Sequence, residues 1–322
     1  MAVLITGGAG FLGIHLARAL VSRGDEVVLG DIGSFNVPDD LKGKVKSVPC
    51  DVSSAADFFE AVHGTQVDGI YHLAVAIRTT AELNPAAAYR VNVEGTGNLL
   101  EVARTCSVKR VVFISSHSVF PPGTKVVGLD TRPMQYANTY GIAKIFGEQM
   151  GLYYHHRYGL DFRAVRFCAI NGPGRGFVGG TSFVSQLFHD IVKTRRFVMP
   201  TKETTSFHNL YVQDAVRCLI GLYDAAPEQI RTRIYNIAGI PTTMKDLATT
   251  IRRHLPDAVF DYQPDEGLLR EFESWPHTVD DRQAREEWGW DIKCDLDNWV
   301  ADFLAAEKKR ISAHGGNPGH EK

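Results

Sequence analysis

Tyr140 and Lys144 stand four residues apart in "NTYGIAKIFGEQM" (138–150). On a helix that spacing is about one turn, so both side chains share a face. A phenol beside an ammonium can be an ordinary solvated pair. It can also be a base in waiting, because a nearby cation lowers a phenol pKa from about 10 and a phenolate can take a proton from an alcohol. Ser115 and Ser116 close the apolar run "RVVFISS" (110–116), and a serine hydroxyl there could hold the substrate oxygen in line. The chemistry these types suggest is oxidation of an alcohol, provided a hydride acceptor lies at the same place.

The acceptor has a candidate site. "ITGGAGFLG" (5–13) carries Gly7, Gly10 and Gly13 at intervals of three, between a strand pattern and a helix pattern. A tight turn, close backbone approach to a pyrophosphate and close helix packing each call for glycine there, and the helix N-terminus favours an anion. Asp31 ends the next strand pattern, at the spacing of about 20 residues expected for a ribose-binding acid. Its carboxylate can accept both ribose hydroxyls and would repel a 2′-phosphate, and no arginine adjoins it. NAD is therefore expected over NADP.

The elements that must position these groups alternate. Strand patterns at 2–6, 26–30, 69–75 and 110–116 are separated by helix patterns at 11–24, 55–64 and 85–106, and a helix at 138–158 follows. Apolar strands alternating with helices predict an α/β, Rossmann-like doubly wound parallel sheet, with ligands at the carboxyl edge of its strands. Further strands are expected at 161–172 and 234–239, and a short strand with a helix at 209–226. Helices are expected at 181–195, 242–255, 279–290 and 296–310. In the second of these helices Thr243 and Asp246 have cap spacing. The expected organisation is an NAD-binding domain over 1–170 with returning segments at about 209–237. A smaller C-terminal substrate lobe takes 171–208 and 238–310, and a polar tail at 311–322 is expected to be disordered.

Composition narrows the field. The 322 residues are 44% hydrophobic and 22% charged, with a net charge of −2. That is an ordinary globular balance with no basic field for nucleic acid, and no apolar run reaches the ~18 residues that span a bilayer. Met1 runs into "AVLITGG" without a positive leader region, and the five scattered cysteines include no CxxC pair. The expected setting is cytoplasmic, with reduced thiols and no metal site. His155 and His156 adjoin on a helix and point in different directions, as surface or packing residues do, His208 has no partner ligand at metal spacing, and Cys168 has no evident base beside it.

With these motifs in place, the chain resembles the extended short-chain dehydrogenases/reductases, part of the NAD-dependent epimerase/dehydratase superfamily. The matching stretches are "GGAGFLG" (7–13), Asp31, "DV" (51–52), "HLAVA" (72–76), "VNVEGT" (91–96), "ISSHSVF" (114–120) and "YGIAK" (140–144). The resemblance implies that Tyr140 is the acid/base, Lys144 its ribose-binding and pKa-lowering neighbour, Ser116 the substrate-orienting hydroxyl and Asn92 a proton-relay asparagine. It implies cofactor contacts at Gly7, Gly10, Phe11, Leu12, Gly13, Asp31, Asp51, Val52, Leu73, Ala74, Ala76 and Phe167, beside Tyr140 and Lys144. A homodimer through the helices at 85–106 and 138–158 is common in that family.

Within the family, "SFHNLYVQD" (206–214) has Phe207 where nucleotide-sugar enzymes commonly carry a phosphate-binding arginine. The second half is similar to the short-chain L-threonine 3-dehydrogenases, through "GGTS" (179–182), "YNIAG" (235–239) and "SWPHTVDD" (274–281) followed by "WGW" (288–290). This branch implies oxidation of threonine to 2-amino-3-ketobutyrate, and substrate contacts are expected at Arg78, Ser116, His117, Tyr140, Thr181, Ser182 and Trp275. Two positions depart from it. Arg78 stands where a small serine is usual, and Phe183 where an aspartate is usual. If both face the pocket, the ligand becomes more anionic and could lack the amine; otherwise Arg78 is a surface residue and Phe183 helix core. A nucleotide-sugar epimerase or dehydratase with retained NAD, and a silent NAD-binding regulator, are the alternatives.

Overall fold

The structure is a computed structural model and describes residues 2–176 and 180–314. Its main sheet has seven strands in the spatial order Ile234–Asn236, Asp161–Phe167, Arg110–Ser116, Gly69–His72, Ala2–Thr6, Glu26–Asp31 and Val45–Pro49. Every pairing in it is parallel. Side chains alternate across a strand, so Val3 and Ile5 enter one core with Leu16 and Leu20, while Leu4 enters the other with Phe58 and Leu99. All of these are fully buried. Truncating any one to alanine would cost about 2–5 kcal/mol. The strand order reverses at Ala2–Thr6, which places a crevice at the carboxyl ends of the strands beside it.

A smaller lobe is built on a three-stranded sheet of Ile240–Thr243, Ser206–Tyr211 and Ala169–Asn171, and on the pair Arg196–Met199 with Val259–Tyr262. Its core includes Phe188, Phe207, Phe272 and Trp299. The Thr243 cap forms as the spacing predicted: Thr243 Oγ1 accepts from the Asp246 N–H at 3.0 Å, and Asp246 Oδ2 accepts from the Thr243 N–H at 3.3 Å.

Several boundaries differ from the sequence reading, each for a physical reason. The run 161–172 is two strands in two sheets, divided at Cys168. Ser206–Tyr211 joins the small sheet rather than returning to the large one. The helix 85–106 is three pieces, Pro85–Tyr89, a π-helical turn at Arg90–Glu94 and Gly95–Thr105. Val45–Pro49 is an edge strand that is mostly exposed, so it carries no apolar signature. The final helix runs Leu296–His314 and overruns the start of the expected tail; 315–322 lie outside the described residues.

The helix Thr139–Tyr158 carries the Tyr–Lys pair. Asn138 caps it, its Oδ1 accepting from the Gly141 N–H at 2.6 Å. Added Cβ atoms at Gly147 and Gly151 would run into the rings of Phe113 and Phe162. Glycine at those two positions lets the helix lie directly on the sheet, which fixes the depth of Tyr140 and Lys144 beside Ser116.

Candidate active site

Strand alternation separates the two candidate serines. Ser115 turns inward, its Oγ donating to Glu148 Oε1 at 2.5 Å, and Arg166 grips that carboxylate through Nε and Nη2, each at 2.7 Å. Ser116 turns to the cleft, accepts from the Ser118 N–H at 3.1 Å and hydrogen-bonds the Tyr140 hydroxyl. Lys144 is buried one turn along from Tyr140. Its Nζ donates to the Ile114 carbonyl at 2.6 Å and lies 4.8 Å from the Phe113 ring centre and 5.6 Å from that of Tyr140.

The electrostatics correct one expectation. Burial raises the Tyr140 pKa, and the hydrogen bond from Ser116 only opposes this. Burial lowers Lys144 to about 7, with the charge of Glu148 working the other way. The lysine was expected to pull the phenol down. Instead desolvation dominates both groups, because each has lost water to the packing of helix on sheet.

Asn92 sits in the π-helical turn and is buried. Its Oδ1 accepts from the Ala76 N–H at 2.8 Å and its Nδ2 donates to the Ala76 carbonyl at 2.9 Å. Each end of the amide therefore engages the same residue of the cleft wall. This arrangement positions backbone at the cleft.

The cleft at the carboxyl edge brings together the sequence's cofactor positions: Gly7, Gly10, Phe11, Leu12 and Gly13 on the loop, Asp31 at the next strand end, and Asp51 with Val52. Leu73, Ala74, Ala76 and Phe167 line it as well, with Tyr140 and Lys144 at its inner end. The geometry fits a dinucleotide. No side chain caps the helix Phe11–Ser22, so its N-terminal N–H groups face the cleft. Gly7 has φ +65°, and a Cβ there would lie 2.8 Å from the Ala74 nitrogen. Asp31 is steered by the Ala9 N–H, which donates to Oδ2 at 2.9 Å.

A second pocket of about 920 Å³, including its open mouth, adjoins the inner end and shares Ser116 and Tyr140 with the cleft. Arg78, His117 and Trp275 also line it. Burial lowers His117 to about 3, so its ring is neutral at pH 7. Trp275 packs edge-to-face on Phe272 at 5.0 Å while facing the pocket, so it both packs and lines. Ser182 does not line the pocket; it is fully buried in the turn before the helix Phe183–Thr194. The Thr181 side chain lies outside the described residues. Phe183 is core, 4% exposed and edge-to-face with Phe272, so its departure does not reach the ligand.

The lining residues that sequence reasoning missed include Arg175, His208 and Glu271. Arg175, in the loop after the small-sheet strand, donates to the Ile170 carbonyl at 2.6 Å and to Asn171 Oδ1 at 2.7 Å, and burial lowers it to about 10. His208 was set aside with the other histidines, yet its two nitrogens lie 2.9 Å from the Gly239 and His277 carbonyls. Glu271 lies in the helix Glu266–Glu273, which no pattern announced, and pairs with Arg78 at 3.1 Å.

Comparison with known proteins decides the family. The model of the NAD dependent epimerase/dehydratase family matches residues 3–238. The chain belongs to this family. NAD is its cofactor, as the glycine loop and Asp31 indicated. The chain is 31% identical over 305 residues to a mitochondrial L-threonine 3-dehydrogenase of Bos taurus, covering 94% of this chain and 81% of that one. The structure of L-threonine dehydrogenase from Phytophthora infestans superposes with a TM-score of 0.87 at 29% identity, over 95% of this chain and 99% of that one. The holo form of the GalE-like enzyme from Cupriavidus necator gives 0.87 at 30% identity, over 95% and 99%. Among the described residues, no helix is long and apolar enough to cross a membrane.

Proposed function

We propose that this protein oxidises the secondary alcohol of a small amino or hydroxy acid with NAD, converting L-threonine to 2-amino-3-ketobutyrate. The observation that carries the reading is the meeting of Ser116, Tyr140 and Lys144 where the dinucleotide cleft opens into the small pocket. Ser116 holds the substrate hydroxyl against Tyr140, and Tyr140 removes its proton. Lys144 and Asn92 set the inner wall of the cleft, Lys144 through the Ile114 carbonyl and Asn92 through Ala76. NAD, when bound, supplies the hydride acceptor. The likeness to the threonine dehydrogenases supports threonine as the substrate.

Phe207 favours a small substrate over a nucleotide sugar. It is buried and stacked on Phe272 with ring centres 4.8 Å apart, so this position offers no cation to a second pyrophosphate. A homodimer is consistent with Ile142, Tyr153 and Tyr158, which leave large apolar surface exposed on the helix Thr139–Tyr158. The scattered thiols fit a reducing setting such as the cytoplasm.

The test is NADH formation by the purified protein given NAD and L-threonine, beside D-threonine, L-serine, 3-hydroxybutyrate and a UDP-sugar. Rapid NADH formation with L-threonine is expected. Its absence, or conversion of the UDP-sugar without net NADH, would overturn the reading.

A further inference from the structure

We infer that Arg78 and Glu271 form a split recognition site for a zwitterion, with Arg78 taking the carboxylate of the substrate amino acid and Glu271 its ammonium. The inference rests on the amino-acid reading above and says how this chain achieves it.

The two residues come from different parts of the fold. Arg78 opens the short helix Arg78–Leu83 on the sheet side, and Glu271 projects from the helix Glu266–Glu273 of the small lobe. Both line the pocket that holds Ser116 and Tyr140, and Arg78 Nη1 donates to Glu271 Oε1 at 3.1 Å across it. Their side chains are 38% and 25% exposed, so water reaches both. A pair that wet adds little stability and opens readily.

An α-amino acid carries a carboxylate and an ammonium on the same carbon. Entering between Arg78 and Glu271, it replaces one weak ion pair with two charge-assisted ones, and the guanidinium fork suits a carboxylate. A hydroxy acid without the amine satisfies Arg78 alone and leaves Glu271 parted from its cation. The other basic groups facing this pocket are less suited to the task. His117 is neutral at pH 7, Arg175 is turned to the Ile170 carbonyl and Asn171, and His208 is held between the Gly239 and His277 carbonyls. The pocket therefore keeps an acid for the amine even though Phe183 has gone to the core.

The test compares L-threonine with 3-hydroxybutyrate, which lacks only the amino group. Glu271→Gln is expected to lower kcat/KM for L-threonine about tenfold, the cost of losing one charged hydrogen bond, while 3-hydroxybutyrate is used as well or better. Glu271→Asp, which keeps the charge, should hold the preference. Arg78→Ala should raise KM for both substrates by a similar factor and leave their ratio alone. A purely structural role would lower both substrates together in Glu271→Gln, and that result overturns the inference. If the unaltered protein itself prefers 3-hydroxybutyrate, the threonine reading falls and the split site with it. If it prefers threonine but Glu271→Gln keeps that ratio, only the split site falls.

Discussion

The Lys144 ammonium lies 5.6 Å from the centre of the Tyr140 ring, one helical turn along and beneath it. Both groups are pressed onto the sheet, which raises the phenol and lowers the amine. Tyr140→Phe keeps the ring and its packing and removes the hydroxyl, with its acidic proton and its hydrogen bond to Ser116. Turnover is expected to fall by about 10²–10⁴-fold, the usual worth of a positioned acid or base, while NAD affinity measured by calorimetry stays within a few-fold. Near-normal turnover would remove Tyr140 from the mechanism.

Lys144 also leaves a mark on stability. Its folded pKa of about 7 lies below the ordinary lysine value of 10.5. Between those values the unfolded chain binds a proton that the folded chain does not, so stability rises with pH across that window. The penalty for burying the cation is full below pH 7 and disappears as pH approaches 10.5. Denaturant unfolding of the unaltered protein and of Lys144→Met, compared from neutral pH upward, should show the difference moving in favour of the lysine form. A difference flat with pH would mean that Lys144 is solvated.

Asn92→Ala should act through Ala76. It removes the two hydrogen bonds of 2.8 and 2.9 Å that hold the cleft wall and leaves the Ala76 amide and carbonyl unpaired. About 1–3 kcal/mol of local stability should be lost. NAD affinity should weaken more than kcat, and the Ala76 amide should exchange faster with solvent. A loss confined to kcat would instead assign Asn92 to proton relay.

Phe183→Ala separates packing from recognition. Removing this core ring should cost about 3–5 kcal/mol in denaturant unfolding. The preference of the folded enzyme between L-threonine and 3-hydroxybutyrate should not change, because Phe183 packs on Phe272 outside the pocket lining.

Much of this was legible in the sequence because it is local. The glycine loop, Asp31 and the Tyr140–Lys144 turn are each set by a few consecutive residues on an element whose periodicity is strong. Ser115 and Ser116 could not be told apart until the partner of each face was known, and Glu148 lies on another element. The pairing of Arg78 with Glu271 joins positions 193 residues apart, and no pattern in either segment points to the other. The Tyr140 and Lys144 shifts depend on how closely a helix lies on the sheet, which rests on Gly147 and Gly151 meeting aromatic rings two strands apart in sequence. Exposed edge strands such as Val45–Pro49 escape periodicity because only one side of them is packed.

Tyr140 and Ser116 are proposed to act with NAD, when it binds, on the carbon bearing the threonine hydroxyl. The most direct measurement is to supply L-threonine deuterated at that carbon with NAD, and to analyse the NADH by mass spectrometry while timing turnover. Deuterium is expected in the NADH, and Tyr140→Phe should form that labelled NADH about 10²–10⁴-fold more slowly. NADH without deuterium, or deuterated threonine returned unchanged with no NADH formed, would contradict it.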